Sequence, residues 1–215
     1  MPEEDRRFIR ATNAEAREIK RRALMKAALA SFVERGYDRT TVSAVTKAAG
    51  ESVGTFYLYF ENKLQVYRSL YREALEMLRR HLEEAMRKPH PTVTGEVRAL
   101  ALSYLEFSRE KRDYYLILSS QHLGQQDFIN DGFLKDRLDT EALALLKMID
   151  RILRRGIDGG EFRRHDTWKT TMIFWGMMDG LLLLNERSNL ALSNSGLEDL
   201  VLYSVDLCLR GISIS

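Results

Sequence analysis

The chain has 215 residues, 45% of them hydrophobic and 30% charged, which suits one or two compact domains with a real core and excludes intrinsic disorder. Only three prolines, thirteen glycines and no long alternating run of β-branched residues argue against a many-stranded fold, whereas abundant Leu, Ala, Glu and Arg predict an all-α chain. The net charge of +2 excludes a histone-like tail, although residues 1–65 carry twelve basic against nine acidic side chains, a mild basic bias at one end.

In chain order, Leu24, Ala27, Ala28, Ser31 and Phe32 recur with helical spacing and predict a helix over Ala16–Arg35, ended by Gly36. Thr41 is a good N-cap for a short helix whose inner face is Val42, Val45 and Ala49. Ala49-Gly50-Glu51 is a turn, and Ser52 caps a third short helix from Val53 to about Phe60. Glu61-Asn62 interrupts before a long helix, Lys63–Lys88, which Pro89-His90-Pro91 stops. Further helices are predicted at Thr92–Glu110, Asp113–Gln121, Phe128–Ile157, Thr167–Arg187 and Gly196–Arg210, about nine in all. The expected division is a head, residues 1–62, and a larger body, residues 63–215.

Two short helices joined by a glycine turn behind a longer support form a helix-turn-helix, whose second short helix fits the DNA major groove. At 100° per residue Phe56 and Phe60 share one side and anchor it to Leu24, Phe32, Val42 and Val45. Thr55, Leu58 and Tyr59 then project outward, and Val53 and Gly54 stand at the tip, where small size permits close approach to bases. Thr41 and Ser52 at helix N-termini, the Tyr57 hydroxyl and the Lys63 charge supply candidate phosphate contacts. An arm containing Arg6, Arg7 and Arg10 has two readings, a reach into the minor groove or simple solvation.

The segment Thr41-Val42 … Ala48-Ala49-Gly50 … Ser52-Val53-Gly54-Thr55-Phe56-Tyr57-Leu58-Tyr59-Phe60 … Lys63 closely resembles the signature of the TetR family of transcriptional regulators. With the first helix and Gly36-Tyr37 the likeness covers about fifty residues in detail. It implies that Thr41, Ser52, Thr55, Tyr57, Tyr59 and Lys63 stand at DNA-contacting positions. One departure is Glu51, where the family usually has a small apolar residue. The resemblance further implies a ligand-responsive regulator, typically a repressor, that binds a palindromic operator as a homodimer through an intersubunit four-helix bundle and is released by a small apolar effector.

In the body, Thr167–Glu186 is apolar on more than one face, so a single core does not account for it and a partner is implied. Trp168, Met172, Trp175, Leu182, Val201 and Cys208 are the candidate dimer residues. Tyr104, Phe107, Tyr114, Tyr115, Phe174 and Met178 either line an effector pocket or are plain core, since the two have the same composition. An ordinary solvated face on the third helix would instead make the chain a small-molecule-binding or protein-interaction module without sequence-specific DNA binding.

No cofactor motif and no catalytic residue present themselves. Gly50-Glu51-Ser52-Val53-Gly54 matches the G-x-S-x-G nucleophile elbow, but a helix precedes it where a strand is needed, so Ser52 reads as a cap. His81, His90, His122 and His165 lack metal-ligand spacing. The apolar run Met172–Leu184 is too short for a membrane span and is broken by Asp179, Met1–Arg10 lacks the core of a secretory signal, and the lone Cys208 implies no disulfide. A cytoplasmic protein without membrane association is expected.

Overall fold

The structure is a computed structural model; it describes residues 3–119, 132–186 and 194–214, with side chains over 14–119, 140–186 and 196–214. Among the described residues there are nine helices: α1 (Glu3–Arg35), α2 (Val42–Ala49), α3 (Val53–Tyr57), α4 (Lys63–Arg87), α5 (Val93–Glu110), α6 (Arg112–Leu118), α7 (Gly132–Asp158), α8 (Thr167–Glu186) and α9 (Asn194–Ile212). The chain is all-α, as its composition predicts. The expected stretches Gln121 and 128–131 lie outside the described residues, as do His122 and the side chains of Arg6, Arg7 and Arg10.

Local sequence accounts for the helix ends. No glycine or proline interrupts residues 3–35, so α1 begins thirteen residues before the expected start at Ala16; Gly36, at φ +82°, ends it and donates its N–H to the Phe32 carbonyl at 2.9 Å. The Thr41 hydroxyl accepts from the Ala44 N–H at 3.1 Å to start α2, and Gly50, at φ +69°, stops it. The Ser52 hydroxyl accepts from the Thr55 N–H at 3.0 Å to start α3. Asn62 caps α4 by accepting from the Gln65 N–H at 2.8 Å, and the Gln65 carboxamide oxygen accepts from the Glu61 N–H at 2.5 Å, close to a capping box.

Helix α3 is shorter than the sequence predicts, ending at Tyr57 rather than near Phe60. Leu58 and Tyr59 donate to Thr55 and Phe56 with the tighter three-residue spacing, while Phe60 still donates to Phe56 at 3.0 Å. That last bond delivers the Phe60 ring to the same side as Phe56, at 5.6 Å between centroids.

Buried side chains form two clusters. The smaller joins α1, α2, α3 and the first turns of α4 through Leu24, Phe32, Val45, Phe56, Phe60 and Tyr67. The larger joins the rest of α4 to α5, α6, α7, α8 and α9. Helix α4 therefore belongs to both, and α6 touches both: Ile117 sits in the smaller cluster, and its carbonyl accepts from the buried Tyr67 hydroxyl at 2.8 Å. At the far end a single antiparallel bridge pairs Phe162 with Ser213, flanked by Arg163 N–H to Ile212 carbonyl at 2.8 Å and Ile214 N–H to Glu161 carbonyl at 3.1 Å. The Glu161 carboxylate accepts from the Val93 N–H at 2.8 Å and the Thr94 N–H at 3.3 Å, so it caps α5.

Candidate nucleic-acid interface and effector cavity

The helix-turn-helix is held from behind by two aromatic anchors. Phe56 is 1% exposed and Phe60 3%, packed with Leu24, Phe32 and Val45, and Val42 lies against the same cluster. Burying such side chains contributes roughly 1.5–3 kcal/mol each. The Arg21 guanidinium lies 5.5 Å from the Phe60 ring centroid, a cation–π contact that ties the end of this unit to α1. Glu51, in the turn, pairs with Lys20 of α1 at 3.3 Å, which gives the acid a partner and fastens the turn.

The opposite side is open. Ser52, Val53 and Gly54 at the tip are exposed, Tyr57 is 57% exposed and Leu58 74%. Thr41 at the start of α2 is exposed as well. Thr55 is half-buried, its hydroxyl 2.9 Å from that of Ser52, and Tyr59 is half-buried against the head cluster rather than fully outward. Lys63 is placed differently from a simple phosphate contact. Its ammonium donates to the carbonyls of Tyr37 at 2.6 Å and Thr40 at 2.9 Å and lies 4.1 Å from the Tyr37 ring centroid. It thereby fixes the loop that presents Thr41.

A cavity of about 150 Å³ lies within the body, walled by α4, α5, α7, α8 and α9 with Leu118 at the end of α6, and almost wholly apolar. Three of the six residues expected there, Tyr104, Phe174 and Met178, line it. The other three do not. Phe107 is fully buried against the His81 ring, Tyr115 is core, and Tyr114 lines a separate charged groove with Arg21, Arg22 and Glu73 between α1 and α4. Neighbours along a helix face in different directions, and α6 turns only one face to each cluster. The polar exception in the cavity wall is Asp179, whose carboxylate accepts from the Tyr104 hydroxyl at 3.0 Å; burial pushes the Asp179 carboxyl up, and burial together with that carboxylate keeps the Tyr104 hydroxyl protonated.

Of the candidate dimer residues, Leu182 at 2% and Val201 at 0% exposure are taken up by the protomer's own core and cannot form a surface. They fall on the stripes Thr171-Phe174-Met178-Leu182 and Leu197-Val201-Val205-Leu209, which face inward. Trp175 is exposed, Trp168 and Met172 are half-buried, and half-buried Cys208 lies with its sulfur 3.7 Å from that of Met177. The large apolar side chains that α8 and α9 leave exposed also include Ile173, Leu184, Tyr203 and Leu207.

Residues 24–70, the whole helix-turn-helix with its support, match the family described as bacterial regulatory proteins, tetR family. The chain is 30% identical over 184 residues to the fatty acid metabolism regulator protein of Bacillus subtilis (strain 168), covering 83% of this chain and 92% of that one. The chain belongs to the TetR family. The HTH-type transcriptional repressor BepR of Brucella suis biovar 1 is 29% identical over 150 residues, 66% of this chain and 71% of the other. In fold, the transcriptional regulator FadR from Bacillus subtilis, solved in complex with stearoyl-CoA, superposes with a TM-score of 0.73 at 22% identity, over 88% of this chain and 98% of that one.

A TetR-family transcriptional regulator is not an enzyme, and the one serine that a catalytic motif suggested, Ser52, is spent as the cap of a helix that follows another helix. Among the described residues no helix is long and apolar enough to cross a membrane. One feature of this TetR-family body escapes the periodicity of its sequence. The exposed residues of α8 cannot be told from the buried ones in a stretch apolar on every side. Asp179 did leave a signal, as the one charge inside the run Met172–Leu184.

Proposed function

We propose that the chain is a ligand-responsive repressor that binds a palindromic operator as a homodimer, residues 1–62 reading DNA and residues 63–215 holding the effector and the partner protomer. The observation that carries this reading is the two-sidedness of α3: Phe56 and Phe60 are locked inside while Val53, Gly54, Tyr57 and Leu58 face out. A helix presented in this way is shaped for a major groove. In this reading the free amides at the starts of α2 and α3, with Thr41, Ser52 and Tyr57, take phosphates, and Lys63 sets the loop that carries Thr41. Val53, Gly54, Thr55, Leu58 and Tyr59 meet base edges, with Leu58 limited to apolar contact such as a thymine methyl. The Brucella relative, itself a repressor, supports the same mode of action here.

The exposed apolar side chains of α8 and α9, with Trp168, Met172, Trp175 and Cys208 on the same helices, are the surface we assign to the partner protomer. A two-fold dimer then sets two recognition helices about one duplex turn apart, or a multiple of it. The cavity lined by Tyr104, Phe174 and Met178 is the effector site, and an apolar wall calls for a ligand with an apolar body. Its volume of about 150 Å³ matches a cavity that takes one benzene. An alkyl chain of ten carbons or more, the stearoyl group bound by the Bacillus subtilis regulator included, exceeds that space and binds a form with the helices further apart. The difference in affinity between the two forms is the energy that shifts the heads, typically ~1–3 kcal/mol.

Selection from a random duplex pool at low salt tests the proposal. The expected result is enrichment of one inverted repeat, with affinity falling steeply as salt rises. Enrichment of no sequence, together with retained small-molecule binding, would mean that the chain is a helical binding module only.

A further inference from the structure

We infer that the cavity is built for an effector whose apolar body carries a protonated amine, with Asp179 as its counter-ion. The inference rests on reading the cavity as the effector site. Among the described residues its wall is aliphatic and aromatic apart from one acidic group, and holds no Lys, Arg or His. Asp179 receives a hydrogen bond from Tyr104 at 3.0 Å, but a carboxylate offers about four lone-pair sites, so one hydroxyl leaves most of its accepting capacity for something that enters the cavity. A half-buried acid costs stability unless it is protonated or paired, and since the described wall residues hold no cation, a ligand that carries one supplies the pair.

Two further observations point the same way. Tyr71, Tyr104, Phe174 and Trp175 line the same cavity as Asp179, and aromatic faces attract an ammonium most strongly where water is excluded. The neighbouring Tyr115 ring packs edge-on to Tyr104 with centroids 6.1 Å apart, and its buried hydroxyl has no hydrogen-bond partner. The polar groups at this corner are thus not fully satisfied by the protein itself. An anionic head at the same place would meet a like charge in a poorly screened site, and a plain hydrocarbon would leave Asp179 unanswered. The cavity is therefore expected to sort amphiphiles by the sign of their charge.

Three probes with the same decyl chain, decylamine, 1-decanol and sodium decanoate, separate these possibilities. Calorimetric titration into the full chain at neutral pH, with Trp175 in the cavity wall as a fluorescence reporter, reads the affinities. Decylamine is expected to bind about tenfold more tightly than decanol, equivalent to about 1.4 kcal/mol, with decanoate the weakest. Asp179→Asn is expected to lower the decylamine affinity about tenfold and nearly close its gap with decanol. Equal affinities for decylamine and decanoate, or a gap that Asp179→Asn leaves intact, would overturn the inference while the cavity stays the effector site. If no decyl probe binds, the effector-site reading fails and the inference with it. The comparison among wild-type affinities decides the matter even where the variant does not fold.

Discussion

Gly54 stands inside α3, where glycine weakens a helix by roughly 0.5–1 kcal/mol relative to alanine. A Cβ placed there would meet only the Ser52 hydroxyl, at an ordinary 3.6 Å, so the protomer's own packing does not require a glycine. The proposed close approach to base edges does. Gly54→Ala is therefore expected to leave the melting temperature unchanged or slightly higher and to weaken operator binding at least about tenfold, and loss of stability without loss of affinity would contradict the assignment. Gly50 answers to a different cause. Its φ of +69° is a left-handed conformation that an L side chain rarely adopts, so a substitution there harms the fold itself. The distinction was partly legible in the sequence, since the tip position of Gly54 in a helix-turn-helix could be read directly. Lys63 was less so: nothing in its position announces that its ammonium is bonded to the carbonyls of Tyr37 and Thr40.

Among the elements, α4 is the one shared by both buried clusters, and its contact with α6 is anchored by the Tyr67 hydroxyl on the Ile117 carbonyl. Tyr67 is fully buried, and burial keeps its hydroxyl protonated and able to donate. Tyr67→Phe keeps the ring but leaves a buried carbonyl without this donor, an expected loss of about 1–3 kcal/mol in chemical denaturation. If α4 and α6 carry the effector's signal to the head, the same variant will also respond less to effector in an operator-release assay. Periodicity located these helices well because their apolar stripes are narrow and charged residues flank them. It placed the end of α3 three residues late, because a turn of tighter spacing delivers Phe60 to the core just as a continued helix would. It also sorted α8 poorly. With Ile173, Phe174, Trp175, Met177 and Met178 all apolar, no contrast remains to say that Phe174 and Met178 face in, Ile173 faces out and Trp175 edges the cavity with about half its surface exposed.

For the molecule as a whole, an exposed apolar face on α8 and α9 calls for a cover, and a second copy of the chain fits the two-fold logic of the proposed operator. Replacing Ile173 and Leu207 together by Glu, both about 60% exposed in the protomer, is expected to yield a monomer by light scattering with unchanged helical content. Its operator affinity should fall at least about tenfold, since one head then binds without the other. The all-helical plan and the helix-turn-helix were legible because local signals carry them, whereas cavity and dimer face depend on how distant helices pack. One feature of that packing has a mechanical meaning. The segment before α8 and the segment after α9 are stitched together at Phe162 and Ser213, and the stitch is riveted to the start of α5 by the Glu161 carboxylate. The two helices we assign to the partner protomer are thus pinned to each other and to α5 at this end. A push on the start of α8 is therefore passed to the end of α9 and to α5 together, so in the proposed dimer the two bodies would keep step through one shared fastening.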